Sequence, residues 1–338
     1  MKTIVCEKPR RFAVREVPVP KRGDGEALLR MSRIGICGTD LHAYQGDQPF
    51  FNYPRVLGHE LSGEIVEIDD NEFGLEEGQH VVVMPYLECG NCIACRKGRT
   101  NCCASLELIG VHLDGGMAEY ITMPVTHLVP AEGLKSEQMA IVECLAIGAH
   151  AVRRAGIEQG QRVLVIGAGP IGMGTMQFAC LAGAEVTAMD VNKNRLAYCE
   201  NVLAVDHCID ATGEVLEQLR SLTDGDFPDV VFDATGNSNS MMNAFQYVSH
   251  GGIYVLISLV KADISFSDPE FHKREMTLLS SRNATREDLE TVIGAMQAGQ
   301  VATDSFITHR VAFDEMINAF DSWLDPANGV IKAVVEME

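Results

Sequence analysis

The chain has 338 residues, 46% of them hydrophobic, and its 47 Asp and Glu against 27 Lys and Arg give a formal net charge of −20. A chain of this length buries a large core and is expected to form two domains. An acidic surface repels phosphate backbones, so nucleic acid is disfavoured as a partner. Because no apolar run approaches the length of a membrane span, we expect no membrane partner either.

The first 147 residues are predicted to form a strand-rich domain with few helices. Short, mainly apolar runs, such as residues 27–31 and 80–84, alternate there with Gly, Pro and Asp. Runs of this kind, separated by turn residues, are typical of strands.

Four cysteines lie within the run CGNCIACRKGRTNCC, at residues 89–103. Cys89, Cys92, Cys95 and Cys103 have the spacing of a structural zinc site, in which four thiolates leave no open coordination position. Cys102 is an alternative fourth ligand. A disulfide framework is disfavoured by the odd count of 11 cysteines and the lack of a secretory signal, which indicate a reducing, cytoplasmic location.

The run RVLVIGAGPIGMGTMQFACLAGAEVTAMD predicts a dinucleotide-binding unit. A strand over 162–166 leads into the glycines of a G-x-G-x-x-G turn, a helix, and a second strand over 186–190 that ends in Asp190. The helix N-terminus suits a pyrophosphate. Asp190 is expected to bind ribose hydroxyls and to repel a 2′-phosphate, which favours NAD over NADP, although Arg195 weakens that preference slightly.

Further strands are predicted at residues 206–210, 229–235, 252–257 and 276–280. Their alternation with helical segments predicts a doubly wound parallel sheet, giving an α/β domain over 148–281. The tail, with an amphipathic segment at 314–324 and a strand at 329–336, is expected to return to the first domain. The predicted domains are therefore 1–147 with 282–338, and 148–281.

A second set of metal-ligand residue types is dispersed over the strand-rich domain. GICGTDLHAY contains Cys37, Thr39 and His42, YPRVLGHELSGE contains His59 and Glu60, and IVECLAIGAHA contains Glu143. A single Cys or His is usually an ordinary buried or polar residue. The set as a whole indicates a second metal site.

The chain resembles the zinc-containing medium-chain dehydrogenase/reductase superfamily over nearly its whole length. The resemblance rests on CGTD, GHE, the four-cysteine run, the glycine turn with Asp190, and the order of these motifs. Within the superfamily, the chain is most similar to the sugar-acid and polyol branch. The similarity lies in the segments QPFFNYPRVLGHE, GRTNCC, HAVRRA, FSDPEFHKRE and SRNAT. The resemblance implies a GroES-like catalytic domain beside a Rossmann domain, one catalytic and one structural Zn²⁺, and NAD.

The resemblance also implies roles for the dispersed residues. Cys37, His59 and Glu143 would be the catalytic zinc ligands, with Glu60 as an occasional or supporting ligand. Thr39 would accept the hydrogen bond of the substrate alcohol and pass its proton towards His42 and solvent. Cys144 occupies a place where the branch more often has proline.

Cofactor and substrate residues are implied in the same way. The expected cofactor-binding residues are Gly167, Gly169, Pro170, Ile171, Gly172, Asp190, Arg195 and Thr235. Arg282 is expected to contact substrate oxygens, its alternative being a salt bridge between domains. Tyr44, Phe50 and Phe51 are expected near the zinc, their alternative being core aromatics.

The expected function is oxidation of a secondary alcohol of a sugar acid, of L-galactonate or L-gulonate type at C5, to a ketone with hydride transfer to NAD⁺. A sorbitol-, butanediol- or threonine-type dehydrogenase is the alternative within this class. A zinc-ribbon, redox-sensing binding protein is the alternative from another class. The expected partner is a small sugar acid or polyol, and the expected assembly is a homo-oligomer, either a dimer or a tetramer.

Overall fold

The computed structural model describes residues 1–47 and 51–337, and the chain divides into two compact units. The first unit contains Met1–Cys144, Thr285–Gly299 and Thr303–Glu338. The second contains Leu145–Ala284 and Gln300–Ala302. These boundaries lie near those predicted for the two domains.

The N-terminal part of the first unit consists mainly of short strands. They are β1 (Lys2–Lys8), β2 (Arg11–Glu16), β3 (Glu26–Ile36), β4 (Arg55–Val56), β5 (Glu60–Glu67), β6 (His80–Val83), β7 (Tyr86–Leu87), β8 (Glu107–Leu108), β9 (Tyr120–Pro124) and β10 (Leu128–Pro130). The helices are α1 (Gly38–Gln45), α2 (Ile93–Arg96), α3 (Ser136–Met139) and α4 (Val142–Ala155), of which α4 continues into the second unit.

The second unit alternates strands and helices. Its strands are β11 (Arg162–Ile166), β12 (Glu185–Asp190), β13 (His207–Asp210), β14 (Val230–Asp233), β15 (Ile253–Leu256) and β16 (Thr277–Ser280). Its helices are α5 (Pro170–Leu181), α6 (Lys193–Asn201), α7 (Val215–Leu222), α8 (Ser238–Asn243) and α9 (Asp268–Lys273).

The chain then returns to the first unit. The returning elements are α10 (Arg286–Gln297), β17 (Ile307–Ala312), α11 (Met316–Trp323) and β18 (Lys332–Glu336). Short 3₁₀ turns cover Thr100–Cys102, Val125–His127, Ala244–Tyr247, Phe313–Glu315 and Pro326–Asn328.

The main sheet of the first unit has the order β10-β6-β5-β3-β18-β17, and β9 pairs with β3. Its alternating apolar positions, including Leu29, Ile34, Leu61 and Val335, form a buried core. Smaller sheets are β2-β1-β4 and β7-β8. The pairing of β18 with β3 places Ala333 opposite Ile36, so the C-terminal strand lies beside the residues that lead into α1.

The second unit is a parallel sheet of order β13-β12-β11-β14-β15-β16. This is the strand order of the doubly wound dinucleotide-binding fold, in which the ligand lies beyond the carboxyl ends of the strands where the order reverses. The predicted α/β class, with a doubly wound domain and a strand-rich domain, is confirmed.

The predicted strands of the second unit match the observed ones to within a residue or two at each end. Helices α1 and α10 were not predicted. The residues of α1 were interpreted only as part of a metal site, and those of α10 were not interpreted. Within the described ranges, no helix has the length and apolar content needed to cross a bilayer.

Candidate metal and cofactor sites

Cys37 follows β3 and caps the N-terminus of α1. Its backbone N–H donates to Asp40 Oδ2 at 2.9 Å, while Asp40 Oδ1 accepts from the backbone N–H of Gly58 at 3.1 Å. Asp40 is almost completely buried, and its Oδ1 also lies 3.8 Å from His59 Nδ1. One carboxylate therefore holds together the two chain segments that carry Cys37 and His59.

Glu60 is the first residue of β5 and is fully buried. Both of its carboxylate oxygens accept from Lys332 Nζ at 2.7 Å, and Nζ also donates to the Ile36 carbonyl at 3.1 Å. Only a glycine fits at position 35, because a Cβ there would lie 2.3 Å from Glu60 Oε2. The ion pair therefore occupies a closely fitted space between β3, β5 and β18.

Glu143 lies in the first turn of α4 and is buried. Its Oε1 accepts a hydrogen bond from the hydroxyl of Tyr86, which is also buried. Its Oε2 is buried and has no hydrogen-bond partner among the residues that the structure describes. A buried carboxylate oxygen left in this way is costly unless a cation or a donor satisfies it.

The ligand atoms of Cys37, His59 and Glu60 all lie within 4.8 Å of one another. Glu143 is not part of that group, but its charge acts on the pKa of His59. The structure therefore brings Cys37, His59 and Glu60 together most closely, with Glu143 beside them. We call these four residues the mixed cluster.

Acidic groups dominate the mixed cluster. Burial raises the pKa of Asp40 and of Glu143, and the nearby charge of His59 only partly offsets this. Burial alone would lower the pKa of His59, but the charges of Asp40, Cys37 and Glu143 together raise it well above its ordinary value. A thiol, an imidazole and carboxylates are the ligand types of zinc, and the unpartnered Oε2 of Glu143 also fits a cation here.

The remaining residues predicted near the metal differ in burial and in their contacts. Thr39 is half-buried on α1, and His42 is exposed three residues later on the same helix. Tyr44 is buried, with its ring 4.8 Å from that of Phe12 and 4.9 Å from that of Phe320. Tyr44 is therefore a core aromatic and not a residue that lines the approach to a metal.

Phe51 also packs in the first unit, with its ring 4.8 Å from that of Tyr53. Phe50, which was predicted to contact substrate, lies outside the described residues.

The ligand atoms of Cys89, Cys92, Cys95 and Cys103 also lie within 4.8 Å of one another, and we call this set the four-cysteine cluster. Cys103, and not its exposed neighbour Cys102, is the fourth member. Hydrogen bonds from the backbone N–H groups of Cys95 and Ala104 lower the pKa of Cys92 to about 6, whereas desolvation raises the pKa of Cys95 to about 12. The four sulfurs lie close enough together to hold a zinc ion that they alone coordinate.

In the second unit the glycine turn follows β11 directly. Gly167 has a φ of 97°, and a Cβ at Gly172 would lie 1.7 Å from the Gly167 carbonyl oxygen. Gly169 caps α5, whose first residue is Pro170. The N-terminal N–H groups of a helix that begins in this way form an anion site.

Asp190 ends β12 beside this turn. Its Oδ2 accepts from the backbone N–H of Ala168 at 2.6 Å, and its Oδ1 accepts from Asn192 at 2.7 Å. Arg195 lies close by, with Nη1 3.9 Å from the position of a Cβ at Gly169. Thr235 lies on the other side, with Cγ2 3.2 Å from a Cβ at Gly167. Arg282 is exposed and follows the last strand of this sheet.

Comparison with known proteins matches both parts of the chain to family models. Residues 23–133 match the alcohol dehydrogenase GroES-like domain, and residues 170–298 match the zinc-binding dehydrogenase model. The chain is 44% identical to L-galactonate-5-dehydrogenase of Escherichia coli K12 over 338 residues, covering 99% of this chain and 98% of that protein. The chain belongs to the zinc-binding alcohol dehydrogenase family.

Solved structures of this family agree with the assignment. A short chain alcohol dehydrogenase (rspB) from E. coli CFT073, complexed with the cofactor NADH, is 27% identical with a TM-score of 0.92, and 99% of each chain is covered. L-idonate 5-dehydrogenase of E. coli K-12 is 25% identical with a TM-score of 0.91, covering 99% of this chain and 97% of that one. The dehydrogenase is an oxidoreductase, which replaces the alternative of a zinc-ribbon sensing protein.

Three residues that lie next to the mixed cluster, Asp40, Tyr86 and Lys332, were not assigned a role from sequence. Asp40 carried a signal, because an acid three residues after the helix-capping Cys37 is typical of a capping box. Tyr86 and Lys332 carried none. A lysine at the start of a strand is ordinarily exposed, whereas Lys332 is buried and its pKa is raised because the nearby negative charge, including that of Glu60, outweighs desolvation.

Proposed function

We propose that this dehydrogenase oxidises a secondary hydroxyl of a sugar acid, of L-galactonate or L-gulonate type at C5. The alcohol and NAD⁺ become a ketone, NADH and a proton. The observation that carries the chemistry is the mixed cluster, in which a half-buried thiol lies beside a buried imidazole and buried carboxylates. The substrate class is supported by the 44% identity to L-galactonate-5-dehydrogenase over almost the whole chain.

We propose Cys37, His59 and Glu143 as the protein ligands of the catalytic zinc. His59 Nδ1 lies 3.8 Å from Asp40 Oδ1 and makes no hydrogen bond within the described residues, and a ring nitrogen of His59 lies within 4.8 Å of the ligand atoms of Cys37 and Glu60. Glu143 has an unpartnered oxygen, whereas both oxygens of Glu60 are bound by Lys332. Glu60 is therefore proposed as an occasional ligand. Bound zinc supplies a Lewis acid that lowers the pKa of a coordinated hydroxyl.

Thr39 and His42 are proposed to carry the released proton. They lie three residues apart on α1, and side chains at that spacing share one face of a helix. Thr39 is half-buried close in sequence to Cys37, and His42 is exposed, so the pair offers a route from the site to water. A hydroxyl both accepts and donates, which a relay requires.

NAD⁺ is proposed to bind the second unit through the glycine turn at Gly167, Gly169, Pro170, Ile171 and Gly172, with Thr235 beside it. The Asp190 carboxylate is fixed at the end of β12 by two backbone donors, in the place where ribose hydroxyls are bound in this fold. Its charge disfavours a 2′-phosphate. The guanidinium of Arg195 beside Gly169 would moderate that preference.

Arg282 is proposed to hold the substrate carboxylate. It is exposed, and a guanidinium fork can bind a carboxylate through two parallel hydrogen bonds. A neutral polyol offers no such partner. The proposal therefore predicts a preference for the acid.

The function is tested with the purified protein by counting zinc per chain and measuring NAD⁺ reduction on L-galactonate, L-gulonate, sorbitol, 2,3-butanediol and L-threonine. We expect two zinc ions per chain and the highest kcat/KM on a sugar acid. A preference for sorbitol, butanediol or threonine would assign the enzyme to that substrate instead of a sugar acid. One zinc ion and no oxidation of any alcohol would overturn the mechanism.

Arg282→Met separates a carboxylate clamp from a structural arginine. Loss of one side of a desolvated charge pair costs about 2 to 5 kcal/mol, or roughly 30-fold to several thousand-fold in kcat/KM. We expect that loss on the acid and a much smaller one on the polyol. Arg220→Met, at an exposed arginine of the same unit, is the control. Equal losses on both substrates would exclude the clamp.

We also propose a homo-oligomer, a dimer or tetramer, in a reducing compartment such as the cytoplasm. β16 is an outer strand of its sheet, and an open strand edge is a template for pairing. The 11 cysteines form no disulfide within the described ranges. Light scattering of the zinc-loaded protein tests the assembly, and a monomer at all concentrations would contradict it.

A further inference from the structure

Tyr86 is held in place by its main chain. It begins β7, which pairs antiparallel with β8 through Tyr86 opposite Leu108. The carbonyl oxygen of Tyr86 lies 3.0 Å from His127 Nε2, which is also 3.0 Å from Glu88 Oε2. The direction in which the Tyr86 side chain leaves β7 is therefore fixed on both sides.

The side chain of Tyr86 ends at the carboxylate of Glu143. Its hydroxyl is buried and donates to Oε1, whereas Oε2 of the same carboxylate has no hydrogen-bond partner within the described part of the chain. A phenol offers a single hydrogen, so it can satisfy one carboxylate oxygen and not both. The two oxygens of Glu143 are thereby made unequal.

We propose that Tyr86 is a positioning residue that fixes the rotation of the Glu143 carboxylate and presents Oε2 alone to the zinc ion. This inference rests on the proposed role of Glu143 as a zinc ligand. It adds a residue that selects which oxygen of Glu143 would coordinate.

The neighbouring carboxylate shows the opposite arrangement. Lys332 binds both oxygens of Glu60 at 2.7 Å, so each of them already accepts a charged hydrogen bond. The two buried carboxylates therefore differ. Tyr86 leaves one oxygen of Glu143 without a hydrogen bond, whereas Lys332 binds both oxygens of Glu60 and makes Glu60 the weaker candidate ligand. Removing the hydroxyl of Tyr86 would free Glu143 to rotate and would leave Oε1 without a donor.

The test compares Tyr86→Phe with the unmutated, zinc-loaded protein. We expect zinc at the mixed cluster to bind about 10- to 100-fold more weakly in competition with a chelator, as is usual when a supporting partner of a ligand is lost. Zinc in the four-cysteine cluster should be unchanged. The visible spectrum of Co²⁺ placed at the mixed cluster should also change, because its ligand geometry changes. Tyr254→Phe, which removes a buried hydroxyl that donates to the Met241 carbonyl at 2.9 Å, is the control and should alter neither.

A double-mutant cycle with Glu143→Ala shows whether Tyr86 acts through Glu143. We expect Tyr86→Phe to have no further effect on zinc affinity once Glu143 is removed. An equal loss in both backgrounds would mean that Tyr86 only supports packing, and would overturn the inference. Wild-type affinity and spectrum in Tyr86→Phe, with weakened binding in Glu143→Ala, would also overturn it while leaving the proposed ligand set intact.

If Glu143→Ala itself binds zinc as tightly as the unmutated protein, the ligand assignment is wrong and the inference falls with it. If Tyr86→Phe does not fold, Tyr86→Met gives the same comparison, because methionine fills irregular space without a hydroxyl.

Discussion

The two metal-binding clusters of the first unit are assembled in different ways. The four-cysteine cluster comes from one segment, Cys89 to Cys103, and lies near the surface, with Cys89 exposed and Cys92 and Cys95 half-buried. The mixed cluster is drawn from residues far apart in the chain, at the start of α1, at the start of β5 and in the first turn of α4.

Their surroundings differ as well. Backbone N–H groups of Cys89 and Ser105 lie 3.3 and 3.4 Å from the sulfur of Cys103, so local turns are enough to support the thiolates. The mixed cluster depends on Asp40, Tyr86 and Lys332, which belong to three different elements. A closed thiolate site can thus be built by a short loop, whereas a site with carboxylate ligands requires partners from the whole unit.

The largest expected effect comes from Cys37→Ser, which removes the thiolate of the mixed cluster. We expect loss of one zinc ion per chain and a fall in kcat of about 10³-fold or more, since a catalytic Lewis acid supplies several kcal/mol. Zinc analysis and steady-state kinetics measure both. The fold should persist, because Cys37 is only half-buried.

The matched control is Cys102→Ser, at an exposed cysteine that is outside both clusters. It should keep two zinc ions and the wild-type rate. If Cys37→Ser kept the wild-type rate, the mixed cluster would not be the catalytic site and the comparison would fail.

The next effect concerns the buried counter-charge, which the mixed cluster has and the four-cysteine cluster lacks. Lys332→Met leaves Glu60 buried without its partner, and breaking such a pair costs about 3 to 5 kcal/mol of the free energy of unfolding. Because the pKa of Lys332 is raised, the pair's stabilisation is fully present below the ordinary pKa of lysine and is lost only at higher pH. Urea unfolding at neutral pH measures the loss.

Lys2→Met provides the contrast, because Lys2 pairs with Asp314 at 2.8 Å in an exposed position. Exposed pairs add little to stability, so the urea midpoint should hardly move. Lys332→Arg should recover part of the loss by keeping the charge. Equal behaviour of Lys332→Met and Lys2→Met would show that burial of the pair does not matter.

A smaller effect on turnover is expected for Cys95→Ser in the four-cysteine cluster. It should lose the other zinc ion and the amide protection of the segment from Cys89 to Cys103 in hydrogen exchange, while kcat falls by at most about tenfold. The residual effect on kcat would pass through β7, which joins this segment to Tyr86. A fall as large as that of Cys37→Ser would mean that the two clusters are not separable.

The contrast between the clusters also explains what could be predicted from sequence. The four cysteines, the glycine turn and Asp190 are each defined by spacing within one segment, so they could be predicted from the sequence. The Glu60–Lys332 pair joins positions 272 residues apart, and nothing in the local sequence marks Lys332 as buried. Tyr44 was expected near the metal from the resemblance, with a core position as its alternative, and contacts with Phe12 and Phe320, which are distant in sequence, hold it in the core.

The smallest effect is expected at Cys144, a buried cysteine next to Glu143 that belongs to neither cluster. The resemblance to relatives that more often have proline at this place is consistent with the structure, because position 144 lies in the first turn of α4, where a proline is tolerated. Cys144→Pro should change the free energy of unfolding by no more than about 1 kcal/mol and leave two zinc ions bound. Ala149→Pro, in the interior of the same helix, should cost about 3 kcal/mol or more. Loss of zinc in Cys144→Pro would show instead that this thiol supports the mixed cluster, and that the cluster draws on one more neighbour than its geometry indicates.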